Sequence, residues 1–79
     1  MVSREQLRES LKGVFLKDEI TDDNFTEQDI DSLSRIEGVM LLEDSFDIEI
    51  SDLEAMRMTN LDRVFVLINE KLKEKHGER

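Results

Sequence analysis

Cysteine, proline, tryptophan and tyrosine are all absent from the 79 residues, and four phenylalanines are the only aromatic side chains. Without cysteine there can be no disulfide framework and no thiolate metal site, so the redox surroundings cannot be read from bridges. Histidine is almost missing too: His76 stands alone in a polar tail, where a solvated helix-end cation is expected. No nucleophile is visibly paired with a general base, and an enzyme is not expected. Long apolar runs are also lacking, and none approaches the roughly 20 residues that span a bilayer. The polar start, Met1-Val2-Ser3-Arg4-Glu5-Gln6, has no apolar run behind it. Neither membrane insertion nor a signal peptide is expected, and a cytoplasmic protein is the default.

Acid is what the chain has in excess. Twenty Asp and Glu stand against eleven Lys and Arg, a formal net charge of −9. Such a charge opposes nucleic acid and anionic membrane surfaces. It favours fast, steered encounters with basic patches on other proteins. The most calcium-like loop, Asp22-Asp23-Asn24-Phe25-Thr26-Glu27, lacks the glycine at position six and the glutamate at position twelve of an EF-hand loop. No dedicated metal site is expected.

A chain this short makes one domain, residues 1–79, with a thin core that must come from close helix packing. Leu7, Leu11, Val14 and Phe15 fall on one helical stripe, predicting a helix from about Ser3 to Lys17, with Ser3 and Gln6 as a capping box. Ile36, Val39, Leu42 and Phe46 predict a second helix over Ser32–Phe46. Asp52–Met56, after a capping Ser51, predicts a short third helix. Leu61, Val64, Phe65, Ile68 and Leu72 predict a fourth, capped by Thr59, with Lys71, Lys73, Lys75 and His76 at its basic end and a break at Gly77. A long polar loop, Asp18 to Asp31, separates the first two helices, and Ile20, Phe25 and Ile30 should pin it across the bundle. The expected fold is all-α: a small four-helix bundle of three longer helices and one short one.

The second helix carries the features with chemical meaning. Its outer side holds Glu37, Met40, Leu41 and Asp44, and a purely solvated face needs neither Met40 nor Leu41. Two explanations stand: a docking surface for a partner with an apolar groove and basic rim, or coverage by the long loop. At its start lies Asp31-Ser32-Leu33. The free N–H groups and positive dipole end of a helix suit an anion attached there. Asp and Ser are also ordinary caps, so the tripeptide alone decides little.

The run around it is more specific. Asp31-Ser32-Leu33 is followed by Glu37, Val39-Met40, Leu42-Glu43 and Phe46-Asp47-Ile48-Glu49-Ile50 without a gap. This pattern closely resembles the acyl carrier protein family, and the likeness continues through Asp52 and Thr59-Asn60-Leu61. The resemblance implies that Ser32 receives a 4'-phosphopantetheine arm from coenzyme A through a phosphopantetheinyl transferase. The arm's thiol would then carry acyl groups as thioesters to loading, elongating and transferring enzymes of fatty-acid, lipid or polyketide-type biosynthesis. Asp31, Leu33, Glu37, Met40, Leu41, Glu43 and Asp44 would face those partners. Ile36, Gly38, Val39, Leu42, Phe46, Ile50, Phe65 and Ile68 would line a cleft for the acyl chain.

Two departures mark the chain as a specialised carrier. Gln28-Asp29-Ile30 replaces the family's Leu-Gly-x before Asp-Ser-Leu, in a loop one residue shorter. Gly38 stands where the family buries a leucine, and the missing side chain is expected to leave room that enlarges or reshapes the cleft. Ser34, Arg35 and Leu41 also replace residues that are more often acidic, small and alanine. The other reading is an arm-less acidic module for protein–protein contact; retention of Asp31-Ser32-Leu33 speaks against it. A monomer is expected, because no large apolar patch is evident beyond the second helix.

Overall fold

Each helix begins where a side chain can satisfy the first free backbone N–H groups, and the caps set the boundaries. In the computed structural model, which describes residues 1–77 and side chains as far as Lys75, Ser3 accepts from the Gln6 N–H while Gln6 accepts from the Ser3 N–H. This reciprocal box opens α1, Arg4–Phe15. A single 3₁₀ turn, Phe25–Gln28, interrupts the long loop. Asp31 caps α2, Ser32–Phe46, by accepting from the Ser34 N–H at 2.8 Å. A second reciprocal box, Ser51 with Glu54, opens α3, Asp52–Arg57. The last helix, α4, spans Leu61–Gly77.

Four helices and no strand are found among the described residues, the all-α architecture that the apolar periodicity predicts. Three local expectations need correction. The cap of α4 is Asn60, whose carboxamide oxygen accepts from the Arg63 N–H at 2.9 Å, and not Thr59. Thr59 instead lends its backbone carbonyl to the Phe25 N–H, tying the long loop to the α3–α4 junction. The helix runs on through Gly77 without breaking there, because glycine lowers helix propensity without forbidding the conformation. The expectation for the His76 side chain lies outside the described residues. Finally, α1 stops at Phe15, two residues before Lys17, when Leu16 turns left-handed at φ 57°.

That turn carries strain. Leu16 is 89% exposed and has no packing role to offset the left-handed backbone, which costs a non-glycine residue roughly 1–2 kcal/mol. Glycine relieves the strain but enlarges the freedom of the unfolded chain by about 0.4–1 kcal/mol. Leu16→Gly is therefore expected to raise the thermal midpoint by a few degrees in a circular dichroism melt. An unchanged or lower midpoint would show that the turn is unstrained.

The core sits between α1, α2 and α4, with α1 packed on both partners. Leu7, Leu11 and Phe15 meet Leu42 of α2 and Leu61, Val64 and Ile68 of α4. Ile20, Phe25 and Ile30, each 2% exposed, hold the loop against this cluster as their spacing predicts. The ring of Phe25 meets that of Phe15 edge-on, centroids 5.4 Å apart, a favoured aromatic geometry. The N-terminus is fastened to α4 by a buried amide. Asn69 accepts from the Val2 N–H at 3.0 Å and donates to the Val2 and Phe65 carbonyls, both at 3.1 Å. At the far end, Lys75 donates to the carbonyls of Phe46 and Asp47 and to the Asp47 carboxylate. A cation thus closes the negative end of α2.

Candidate functional site

The head of α2 presents one unengaged hydroxyl. Ser32 is the first residue of the helix and is exposed, with no hydrogen bond to its Oγ among the described residues. Asp31 uses its carboxylate on the Ser34 N–H and its carbonyl on the Arg35 N–H. The N–H groups of Ser32 and Leu33 have no acceptor among the described residues. The Ser34 N–H first, then the Ser34 hydroxyl and the Arg35 charge, hold the Asp31 carboxyl below the ordinary carboxylate range. Since its folded value lies below its unfolded one, the cap stabilises fully above the ordinary range. That contribution is lost as pH falls through the lowered value.

Beside Ser32 runs an open groove of about 290 Å³ between α2 and α3, lined by Arg35, Ile36, Val39, Asp52, Ala55 and Met56. Behind it, a cavity of about 20 Å³ lies in the core, room for about one water. Leu11, Phe15, Phe25, Gly38, Leu42, Met58 and Val64 line it. Arg35, Val39 and Ala55 border both spaces and form the partition between them.

Of the residues expected to line a cleft, Gly38, Val39 and Leu42 border the inner cavity and Ile36 the outer groove. Phe46, Ile50, Phe65 and Ile68 border neither. Ile50 and Ile68 are buried core residues, and Phe65 lies under the Arg4 guanidinium, 4.2 Å from ring centroid to Cζ. Ile36 is 56% exposed and does not share the buried stripe with Val39, Leu42 and Phe46. The stripe of α2 is turned toward Gly38 and Leu42, which face α1, and this carries Ile36 out to the rim. Nor does Gly38 leave open room. A Cβ there would stand 3.0 Å from Phe15 Cε1 and 3.4 Å from Leu11 Cδ2, so the Phe15 ring already occupies the space.

The acidic and apolar positions of α2 do converge. Glu37, Met40, Leu41, Glu43 and Asp44 line one shallow depression with Asp47 and Glu49, and Lys71 edges it. Met40 and Leu33 are more than 60% exposed, so the long loop does not cover Met40. Leu41 is half-buried, and Asp31, Glu37 and Asp44 are exposed. Glu43 is partly committed inside the protein: its carboxylate accepts from the Ile50 N–H at 2.8 Å and holds the α2–α3 loop. Lys71 pairs with Glu54 at 2.9 Å; that bond raises the Lys71 pKa, while the Ser51 N–H is the larger cause lowering that of Glu54. Leu53 and Met56 on α3 add exposed apolar surface near Ser32 that the sequence pattern did not single out. A six-residue helix is too short to show which face it presents.

Residues 5–64 match the family defined by the phosphopantetheine attachment site. The chain belongs to the acyl carrier protein family. A protein named acyl carrier protein homolog, from Mycoplasmopsis pulmonis (strain UAB CTIP), is 45% identical over 58 residues, or 72% of this chain and 80% of that protein. A carrier of this family is not itself an enzyme: it presents a covalent 4'-phosphopantetheine group and carries acyl cargo on it. The head of α2 fits such a group, with an exposed hydroxyl, two free N–H groups for a phosphodiester and an adjoining groove. No helix of the described residues is long and apolar enough to cross a membrane.

Proposed function

We propose that residues 1–79 form a single, monomeric, cytoplasmic carrier domain that bears its arm on Ser32. The observation that carries the assignment is the free Ser32 hydroxyl on the first residue of α2, beside the two unpaired N–H groups. Ser32 would hold the arm through a phosphodiester at Oγ, with the helix end favouring the negative charge. The arm supplies the terminal thiol that this cysteine-free chain lacks. The chain's own residues then shape the groove and present the arm to partners.

Those partners would include a phosphopantetheinyl transferase and the acyl-loading, elongating and transferring enzymes of fatty-acid, lipid or polyketide-type biosynthesis. Their docking surface would combine Leu33 and Met40 with the acids Asp31, Glu37, Glu43 and Asp44 and with half-buried Leu41. A basic patch opposite these acids would speed encounter, with a rate that falls as salt rises. Intact mass before and after incubation with coenzyme A, magnesium and a promiscuous transferase tests the assignment. A gain of one phosphopantetheine supports it. An unmodified, folded chain that gains nothing would favour the arm-less interaction module.

A further inference from the structure

Arg35 occupies an unusual position for a charged side chain. It borders both the groove beside Ser32 and the apolar core cavity. Its Nε is buried without a hydrogen-bond partner. The contrast with Arg8 is informative, because Arg8 has an orphaned Nε as well but its terminal nitrogens reach Glu5 and Asp22. Among the described residues Arg35 makes no ion pair; Asp31 lies close enough for its charge to be felt, and Asp52 shares the groove. A buried guanidinium N–H without an acceptor is costly, and such a group calls for an explanation.

The core side of the partition is full. Phe15 fills the space beside Gly38, and the remaining cavity of about 20 Å³ has no room for an alkyl chain. The groove outside is more than ten times larger and includes apolar Ile36, Val39, Ala55 and Met56. A cargo therefore has room outside the partition and none within it while Arg35 stays in place.

We infer that Arg35 is a specificity-determining residue that bars plain alkyl chains from the core and donates its free N–H to a carbonyl oxygen of an acyl group held in the groove. The inference rests on the carrier assignment at Ser32 and names its cargo class: short acyl groups with an oxygen close to the thioester, such as 3-oxoacyl groups. The neighbouring acids Asp31 and Asp52 favour a neutral carbonyl over a carboxylate. A carbonyl acceptor could also come from an amide of the arm itself, and the test separates the two sources.

Wild type, Arg35→Leu and Arg35→Lys are each loaded from coenzyme A, 3-oxobutanoyl-coenzyme A and octanoyl-coenzyme A, and intact mass verifies each species. The thermal midpoint and the rate of thioester hydrolysis are then measured. In wild type, the 3-oxobutanoyl form is expected to melt several degrees above the thiol form and to hydrolyse several-fold more slowly than a free 3-oxobutanoyl thioester. The octanoyl form is expected to gain neither. Arg35→Leu should reverse that ranking by admitting the octanoyl chain, and Arg35→Lys should keep it closed to octanoyl.

The same ranking in all three proteins would overturn the inference. So would a gain already complete in the thiol form and lost in Arg35→Leu, which would place the acceptor on the arm. A chain that takes no arm refutes the carrier assignment as well, and mass shows this before any ranking is read.

Discussion

Ser32→Ala is expected to abolish acceptance of the arm entirely while leaving the bundle folded. The hydroxyl that is removed supports nothing else: it has no hydrogen-bond partner among the described residues, and the helix is capped by Asp31. Alanine is the best helix former and exceeds serine by at most about 0.7 kcal/mol. The thermal midpoint of the variant should match or slightly exceed that of the unmodified wild type. Loss of loading then reports on chemistry and not on folding. Ser34 is a built-in control two residues away, partly buried, with its N–H and hydroxyl both turned to the Asp31 carboxylate. Intact mass of wild type, Ser32→Ala and Ser34→Ala after transferase treatment decides the matter. A gain of mass in Ser32→Ala would move the arm elsewhere and undo the assignment.

Gly38→Leu is expected to lower stability even though leucine favours a helix far more than glycine does. Helix propensity alone would give a gain of roughly 0.8–1.0 kcal/mol. The first carbon of the new side chain, however, already meets the Phe15 ring at 3.0 and 3.3 Å and Leu11 at 3.4 Å. The remaining carbons would have to displace that ring. Overpacking of this kind costs about 1–3 kcal/mol. In a domain of this size each kcal/mol moves the thermal midpoint by about 4–8 °C. Shrinking the ring in the same protein, as Phe15→Leu with Gly38→Leu, should restore much of the loss. A double-mutant cycle should give a coupling of about 0.5–3 kcal/mol between the two positions. Additive effects would mean that the ring and residue 38 do not compete for one volume.

That pair also explains where reading the sequence stopped. Glycine 38 announces a missing side chain, but its neighbour is named only by the packing of α1 on α2. The same packing turns the buried stripe of α2 toward Leu42 and puts Ile36 on the rim. Periodicity locates a stripe to within about one position, and one position is roughly 100° of helix. Ends with specific capping chemistry were far more legible. Asp31 starts α2 where the pattern predicts, and Ser51 with Glu54 starts α3. Thr59 and Asn60 are adjacent and both able to cap, and asparagine, the stronger capping residue, takes the role. The 3₁₀ turn at Phe25–Gln28 is too short to leave a period. The groove beside Ser32 escaped for a related reason, since Ala55 and Met56 belong to a helix of six residues. Asn69 gave no signal, because its polar partners are backbone atoms at the other end of the chain.

The Asn69 clasp has a dynamic consequence. Residues at a chain end usually fray, and their amide protons exchange with solvent almost freely. Here the Val2 amide is held by a buried carboxamide, and its side chain is 7% exposed. The second residue of the chain is thereby made part of the same cooperative unit as α4. Its proton can exchange only when α1 and α4 separate at that end. Slow exchange at Val2, next to unprotected neighbours at Met1 and Ser3, would make this single amide a clock for the opening of the bundle.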